Sequence, residues 1–243
     1  MALETAPTHA STVAATARRL FLIWQDPETR QLIKVGQLEE LVDGHYVFTY
    51  LPGARHDGFS PLVQYPEIDG WYPSTTLPAF FVNRVMSRSR PSYGEFRHWI
   101  GLDNEGSDTP FEVLVRTGGP RVTDTFHVVD DLTWTQGGRV VSRFLASGVR
   151  HVPGAAERLR GLAEGQRLGL RDEPENPVNP RAILIDVCSG EPVGFVPDWL
   201  VEDVHDLREC TDEFVVIAER VNIDAPAHLR LLCRIEARLS DGG

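Results

Sequence analysis

Two pairs of adjacent carboxylates, Asp130 with Asp131 and Glu202 with Asp203, are where general acid–base chemistry would first be sought in this 243-residue chain. That chemistry needs two groups whose surroundings drive their proton affinities apart, one protonated while the other is ionised. Adjacent acids are common as solvated pairs, so neither is read as a catalytic dyad. The eight histidines are scattered, with none at metal-ligand spacing. Cys188, Cys210 and Cys233 form no CxxC pair and sit beside no histidine cluster, so neither a zinc site nor a disulfide framework is expected, and the thiols read as free and buried. The chain lacks the phosphate-cradling GxxxxGK[ST], the metal-binding HExxH and the nucleophile elbow GxSxG. The glycine pair in Thr117-Gly118-Gly119-Pro120 is too short for a dinucleotide fingerprint. The expectation is a protein that is not an enzyme and holds neither metal nor cofactor.

Charge narrows the partners. The formal net charge is −11, and Lys34 is the sole lysine, so nearly all positive charge is arginine. Proteins that coat duplex DNA draw affinity from neutralising phosphates and releasing counterions, which calls for a basic surplus. Sequence-blind duplex binding is therefore disfavoured. A small pocket for a few nucleotides is compatible with an acidic body, because the local field decides there.

The elements that must position such a pocket are legible in the hydrophobic pattern. With 42% hydrophobic and 24% charged residues the chain is globular in composition, and its length suits two ordinary domains. Residues 1–17 read as a disordered tail without the apolar run of a signal peptide. No window approaches the roughly 18 apolar residues of a membrane helix, so a cytoplasmic protein without membrane contact is expected. Arg18 to Gln25 and Arg30 to Leu41 read as strands around the Asp26-Pro27 turn. Asp43-Gly44 before the alternating HYVFTYL is a hairpin signal. The period then becomes helical. Leu77, Phe80, Phe81, Val85 and Met86 predict a helix from Thr75 or Thr76 with Pro78 in its first turn, and SYGEFRHWIGL predicts a second. A third has Thr109 as cap, Pro110 at the first position and Gly118 as carboxyl cap. A strand-like run from Pro120 to Gln136 ends in Gly137-Gly138, which puts a seam between Thr135 and Val141. The fold class expected is α+β: an amino-terminal β-meander with short helices over 18–138, then a second domain over 139–243.

In that second domain, Gly148 to Val204 resembles the HIRAN domain along nearly its whole length. In order come a Gly-Val-Arg strand, a short helix, a basic or polar strand, the E-P-x-N-P-x-N-P turn from Glu173 to Pro180, an R-A-I strand, a glycine-containing turn, and V-G-F-V-P leading into a helix. The resemblance implies an OB-like β-barrel with two short helices, a module that in eukaryotic relatives captures the 3′ hydroxyl end of single-stranded DNA. The residues agree with such a wall. Ala182 to Ile185 is uniformly apolar, as in a strand buried on both faces, and Leu229 to Leu239 alternates apolar with charged positions. Carried over by position, Arg150 and His151 match the end-binding arginine and the aromatic that follows it. Asn176 and Asn179 fall on the asparagine-rich loop, with Arg181 near enough to add charge. Arginine can grip phosphate with two parallel hydrogen bonds, histidine can stack, and asparagine offers both donor and acceptor. The same residues have a plainer alternative: Arg150 pairing with an acid across the barrel, and the asparagines capping backbone groups of a turn. Three departures weigh against strand capture. Val152 and Val178 stand where the DNA-capturing relatives carry tyrosines, Asp198 where a basic residue would help, and Phe144 to Gly243 holds eleven arginines against eighteen acids.

The amino-terminal half, from Gly36 to about Val129, is similar to the small domain preceding the kinase core of HipA-type toxins. The carriers are VGQL, YVFTYL, the turn at Pro61, PAFFVNRVMSRS and FEVLVRTGG. That family's P-E-G is replaced by Ser87 to Ser89, and nothing beyond resembles the kinase's phosphoryl-transfer residues. The resemblance implies a protein-binding role. The combined reading is a non-catalytic accessory protein that holds a single-stranded DNA end and recruits a protein, in DNA repair or anti-phage defence. The alternative is an interaction or antitoxin-like module that binds a kinase or helicase without nucleic acid.

Overall fold

A computed structural model describes residues 15–104, 106–119, 124–132, 135 and 137–239. Most of the expected tail, part of the 120–136 run and part of the expected seam lie outside these residues. The first sheet is antiparallel, in the order β4-β3-β2-β1-β5. It comprises β1 (Thr16–Gln25), β2 (Leu32–Leu41), β3 (Tyr46–Tyr50), β4 (Trp71–Ser74) and β5 (Phe126–Asp130). The strand expected from Arg18 thus begins two residues earlier, with Thr16 paired to Leu41. Gly44, at φ 82°, makes the turn between β2 and β3. The face of Leu20, Leu22, Val35, Leu38 and Phe48 packs a core with Phe81, Phe111 and Leu114 from the helices.

Three helices cover this sheet, and one departs from expectation. Instead of a long helix from Thr75, α1 spans only Ala79–Val82. Beyond it the bonds tighten to Arg84 N–H→Phe81 O and Val85 N–H→Val82 O, which turns the Arg84 side chain inward. There, 1% exposed, it donates to Gly119 O at 2.9 Å, pairs with Asp124 and lies over the Phe80 ring. The apolar spacing is real, but an irregular backbone satisfies it. The helix α2 (Tyr93–Trp99) follows, then α3 (Pro110–Thr117), where Thr109 Oγ1 accepts from Glu112 N–H at 3.2 Å and Gly118 closes the helix at φ 69°.

The second sheet has the order β6-β11-β10-β7-β8-β9. Its strands are β6 (Arg139–Leu145), β7 (Arg167–Asp172), β8 (Ile183–Asp186), β9 (Pro192–Phe195), β10 (Thr211–Val221) and β11 (Leu231–Leu239). The sheet curls until Ser147, just past β6, forms an antiparallel bridge with Phe195 at the end of β9. All four residues of β8 are buried, and Leu231, Cys233, Ile235 and Ala237 of β11 point into the core. Leu229 lies instead in a 3₁₀ turn, Ala227–Leu229. Two helices complete this half. The six-residue α4 (Ala155–Arg160) is short as expected, but α5 (Asp198–Cys210) runs thirteen residues, burying Leu200, Val201, Val204 and Leu207 against the barrel. The thiols differ from the buried set expected: only Cys233 is buried, while Cys188, past β8, and Cys210, ending α5, are exposed.

The halves share a third cluster in which Tyr93, Phe96, Ile100, Leu102 and Val113 meet Ala225 and Leu229 of the β10–β11 turn. Beside it Glu219 of β10 pairs with Arg143 of β6 at 2.6 Å, Arg234 of β11 at 3.1 Å and Arg116 of α3 at 3.5 Å. Among the described residues no helix is long and apolar enough to cross a membrane.

Candidate nucleic-acid interface

Where the sequence predicts a Gly-Val-Arg strand, the chain makes a 3₁₀ turn over Val149–His151. Gly148 causes it: at φ 64° its left-handed backbone ends the extended run, and His151 N–H returns to Gly148 O at 2.8 Å. Val149 is thereby buried in the barrel core, while Arg150 and His151 face outward. Arg150 Nε donates to His151 Nε2 at 2.8 Å. No carboxylate lies within ion-pair distance of Arg150 among the described residues. A hollow of about 380 Å³ opens beside these residues, its other wall formed by Ala227 and His228 of the β10–β11 turn. Among the described residues no acid lines it. Partial burial beside the hollow holds the His228 pKa below the ordinary histidine value, although the residue as a whole is exposed.

The asparagine-rich loop is committed differently. Asn176 Oδ1 accepts from Val178 N–H at 3.0 Å and Asn179 N–H at 3.1 Å, and its Nδ2 donates to Glu173 at 2.7 Å. Asn179 Oδ1 accepts from Arg181 N–H at 2.9 Å, and its Nδ2 donates to Asp198 at 3.2 Å. Arg181 Nε donates to Glu202 at 2.6 Å, and His205 Nε2 donates to Arg181 O at 3.1 Å. Asp198, Glu202 and His205 recur at helical spacing along α5, so one stripe of the helix staples the loop. Both asparagines therefore serve as turn-capping residues.

The five candidates thus form two groups. Arg150 and His151 line the hollow; Asn176, Asn179 and Arg181 do not. The corner Phe195-Val196-Pro197-Asp198 touches both, meeting Ser147 through Phe195 and Asn179 through Asp198. The positions lacking tyrosine also separate: Val152 is 8% exposed in the core, and Val178 is 79% exposed on the loop. Sequence reasoning missed His228. Its signal is only a proline-flanked turn between two alternating strands, and nothing there says which neighbour the turn faces.

Of the two carboxylate pairs, Asp130, Asp131 and Asp203 meet in a second cavity, of about 240 Å³, between the halves, where Asp206 and Lys34 join them; Glu202 instead pairs with Arg181. Burial, reinforced by Glu112 and Asp131 and opposed by Arg18, pushes Asp130 up to about 6. Burial also raises Asp203, which Lys34 offsets at 3.8 Å. Among the described residues no group of histidine, cysteine or acidic side chains could hold a metal ion.

Residues 140–240 match the family model of the HIRAN domain. The hollow, the asparagine-rich loop and α5 all lie inside the matched residues. Two solved structures are similar to part of the chain. A structural-genomics protein from Lactobacillus plantarum aligns at 15% identity and a TM-score of 0.33, covering 42% of this chain and 100% of that one. The HIRAN domain of human HLTF aligns at 18% identity and a TM-score of 0.29, covering 43% of this chain and 81% of that one. No curated protein matches the chain.

Proposed function

We propose that the HIRAN domain binds the free end of single-stranded DNA at the hollow beside Gly148, and that the chain is a non-catalytic accessory protein. The observation that carries this reading is a hollow walled by Arg150, His151 and His228, with no acid lining it among the described residues, inside a domain of strongly acidic composition. A local positive field on an acidic body suits capture of one strand end and disfavours coating of a duplex. Arg150 supplies the phosphate grip; His151 supplies a ring that can stack on a base. Recruitment of a protein partner by the amino-terminal half, in DNA repair or defence, rests on its resemblance to the HipA amino-terminal domain.

Fluorescence anisotropy of the full chain with labelled single strands tests this reading. A strand with a free 3′ hydroxyl is expected to bind more tightly than one with a blocked end, and Arg150→Ala to remove the difference. Equal binding of both strands by wild type and variant overturns the proposal. Asn176→Ala is the poorer test, because it also releases the loop's own backbone bonds.

A second reading, a module that binds a kinase or helicase without nucleic acid, is favoured by the commitment of Asn176, Asn179 and Arg181 to their own loop and helix. A complex with such a partner that survives nuclease treatment, formed by a chain that binds no strand, is its expected signature.

A further inference from the structure

We propose that His228 is a ligand-contacting residue of the strand-end site and that the amino-terminal half fixes its position through Asn222, an inference that rests on the strand-end reading above. The turn from Asn222 to Arg230 has two faces. One carries Ala227 and His228 to the wall of the hollow opposite Val149, Arg150 and His151. The other sinks Ala225 and Leu229 among Tyr93, Phe96 and Ile100 of the amino-terminal half. Asn222, 7% exposed, joins them. Its Nδ2 donates both hydrogens, to Trp99 O at 2.9 Å and to Leu229 O at 2.8 Å, while its backbone N–H donates to Arg230 O at 2.8 Å. Arg220, two residues earlier, pairs with Asp103 past α2. The wall bearing His228 is thus hung from the amino-terminal half as much as from its own barrel.

The chemistry across the hollow is complementary. Arg150 offers fixed positive charge, whereas the desolvated His228 is neutral at pH 7 and can donate to a phosphate oxygen or accept from a terminal hydroxyl. Among the described residues, Arg150 and His151 are the ionisable groups facing it across the hollow. A volume of about 380 Å³ sits at the small end of ligand pockets, which run roughly 300–1,000 Å³, and so suits a strand terminus. Displacement of this wall by about an ångström removes the second hydrogen-bonding partner while leaving Arg150 in place.

The test uses the full chain and a fluorescein-labelled oligodeoxythymidylate with a free 3′ hydroxyl. His228→Ala, at an exposed position that does not threaten folding, is expected to weaken binding about tenfold, the loss of one good hydrogen bond. Asn222→Ala is expected to weaken it similarly, and the double variant no further, since both act on one contact. Without nucleic acid, nuclear magnetic resonance titration of His228 is expected to show its pKa rising toward the ordinary value in Asn222→Ala. If Arg150→Ala loses binding while His228→Ala binds like wild type, this inference is overturned and the strand-end reading stands. An unchanged His228 titration, or additive losses in the double variant, overturns the positioning role of Asn222. Wild type that binds no strand end overturns the strand-end reading and this inference with it.

Discussion

Ser147 and Phe195 exchange both backbone hydrogen bonds, N–H→O at 2.8 Å in one direction and 2.9 Å in the other, and so bring the two ends of a six-stranded sheet together. The bridge also sets Gly148 against the Phe195 ring. A Cβ built on Gly148 comes within 2.9 Å of Phe195 Cδ2. Gly148→Ala therefore carries two costs, a left-handed backbone at φ 64° and a ring that must move. The expected destabilisation is about 1–3 kcal/mol, read as a lower midpoint in urea unfolding with an unchanged slope. A midpoint equal to wild type contradicts the close packing of this corner.

How far such relationships could be read in advance depended on whether a signal was local. The cap, proline and glycine of α3 are short-range backbone chemistry, and Thr109, Pro110 and Gly118 occupy the positions their types dictate. The burial of Ala182 to Ile185 follows equally from an uninterrupted apolar run, whereas the buried Asp186 that ends β8 is held by Arg171. The helix at Leu77–Met86 misled because helical spacing of apolar residues records burial, and an inward arginine can satisfy that burial with irregular backbone. At the site, Gly148 was visible as a residue type, but its left-handed turn was not. His228 came to the hollow through the pairing of β11 with β6, a contact some 80 positions distant that no local pattern encodes.

Arg84 offers a contrast between buried and exposed ion pairs. Its side chain is 1% exposed, donating to Gly119 O and pairing with Asp124. Arg84→Leu leaves those acceptors with no guanidinium, at an expected cost of about 3 kcal/mol. Arg55, 60% exposed and paired with Asp69, is expected to cost no more than about 0.5 kcal/mol on change to alanine. Paired thermal or denaturant melts check this, and comparable losses in the two variants contradict the assignment.

Asp130 gives the fold a pH dependence opposite to that of an ordinary carboxylate. Its folded pKa, about 6, lies above the unfolded value near 3.8, so between those values the folded state binds more protons. Its contribution therefore improves as pH falls from 7 through 6 toward 4 and is lost as pH rises through 6. His127, held below its ordinary value chiefly by burial and then by Arg84, acts in the other sense as it is forced to charge on acidification. Asp130→Asn separates the two. It is expected to stabilise by on the order of 1–2 kcal/mol at pH 7 and by little at pH 4. A stability gain independent of pH contradicts ionisation as the cause.

The two valines that stand where strand-capturing relatives carry tyrosine are unequal positions. Val152 is 8% exposed and packs in the barrel core, so Val152→Tyr forces a phenol into filled space, at about 1–3 kcal/mol of stability. Val178 is 79% exposed on the asparagine-rich loop, where the backbone is already fixed by Asn176 and a ring displaces nothing. A stacked base contributes about 1–3 kcal/mol, so Val178→Tyr is expected to tighten binding of a single strand with a free 3′ end roughly five- to a hundredfold. The gain requires that the strand leaving the hollow at Arg150 pass over the loop across the Phe195 to Asp198 corner. Tightening that disappears in the Val178→Tyr, Arg150→Ala double variant places both on one track. A Val178→Tyr variant that folds like wild type but binds no better puts the strand elsewhere on the barrel.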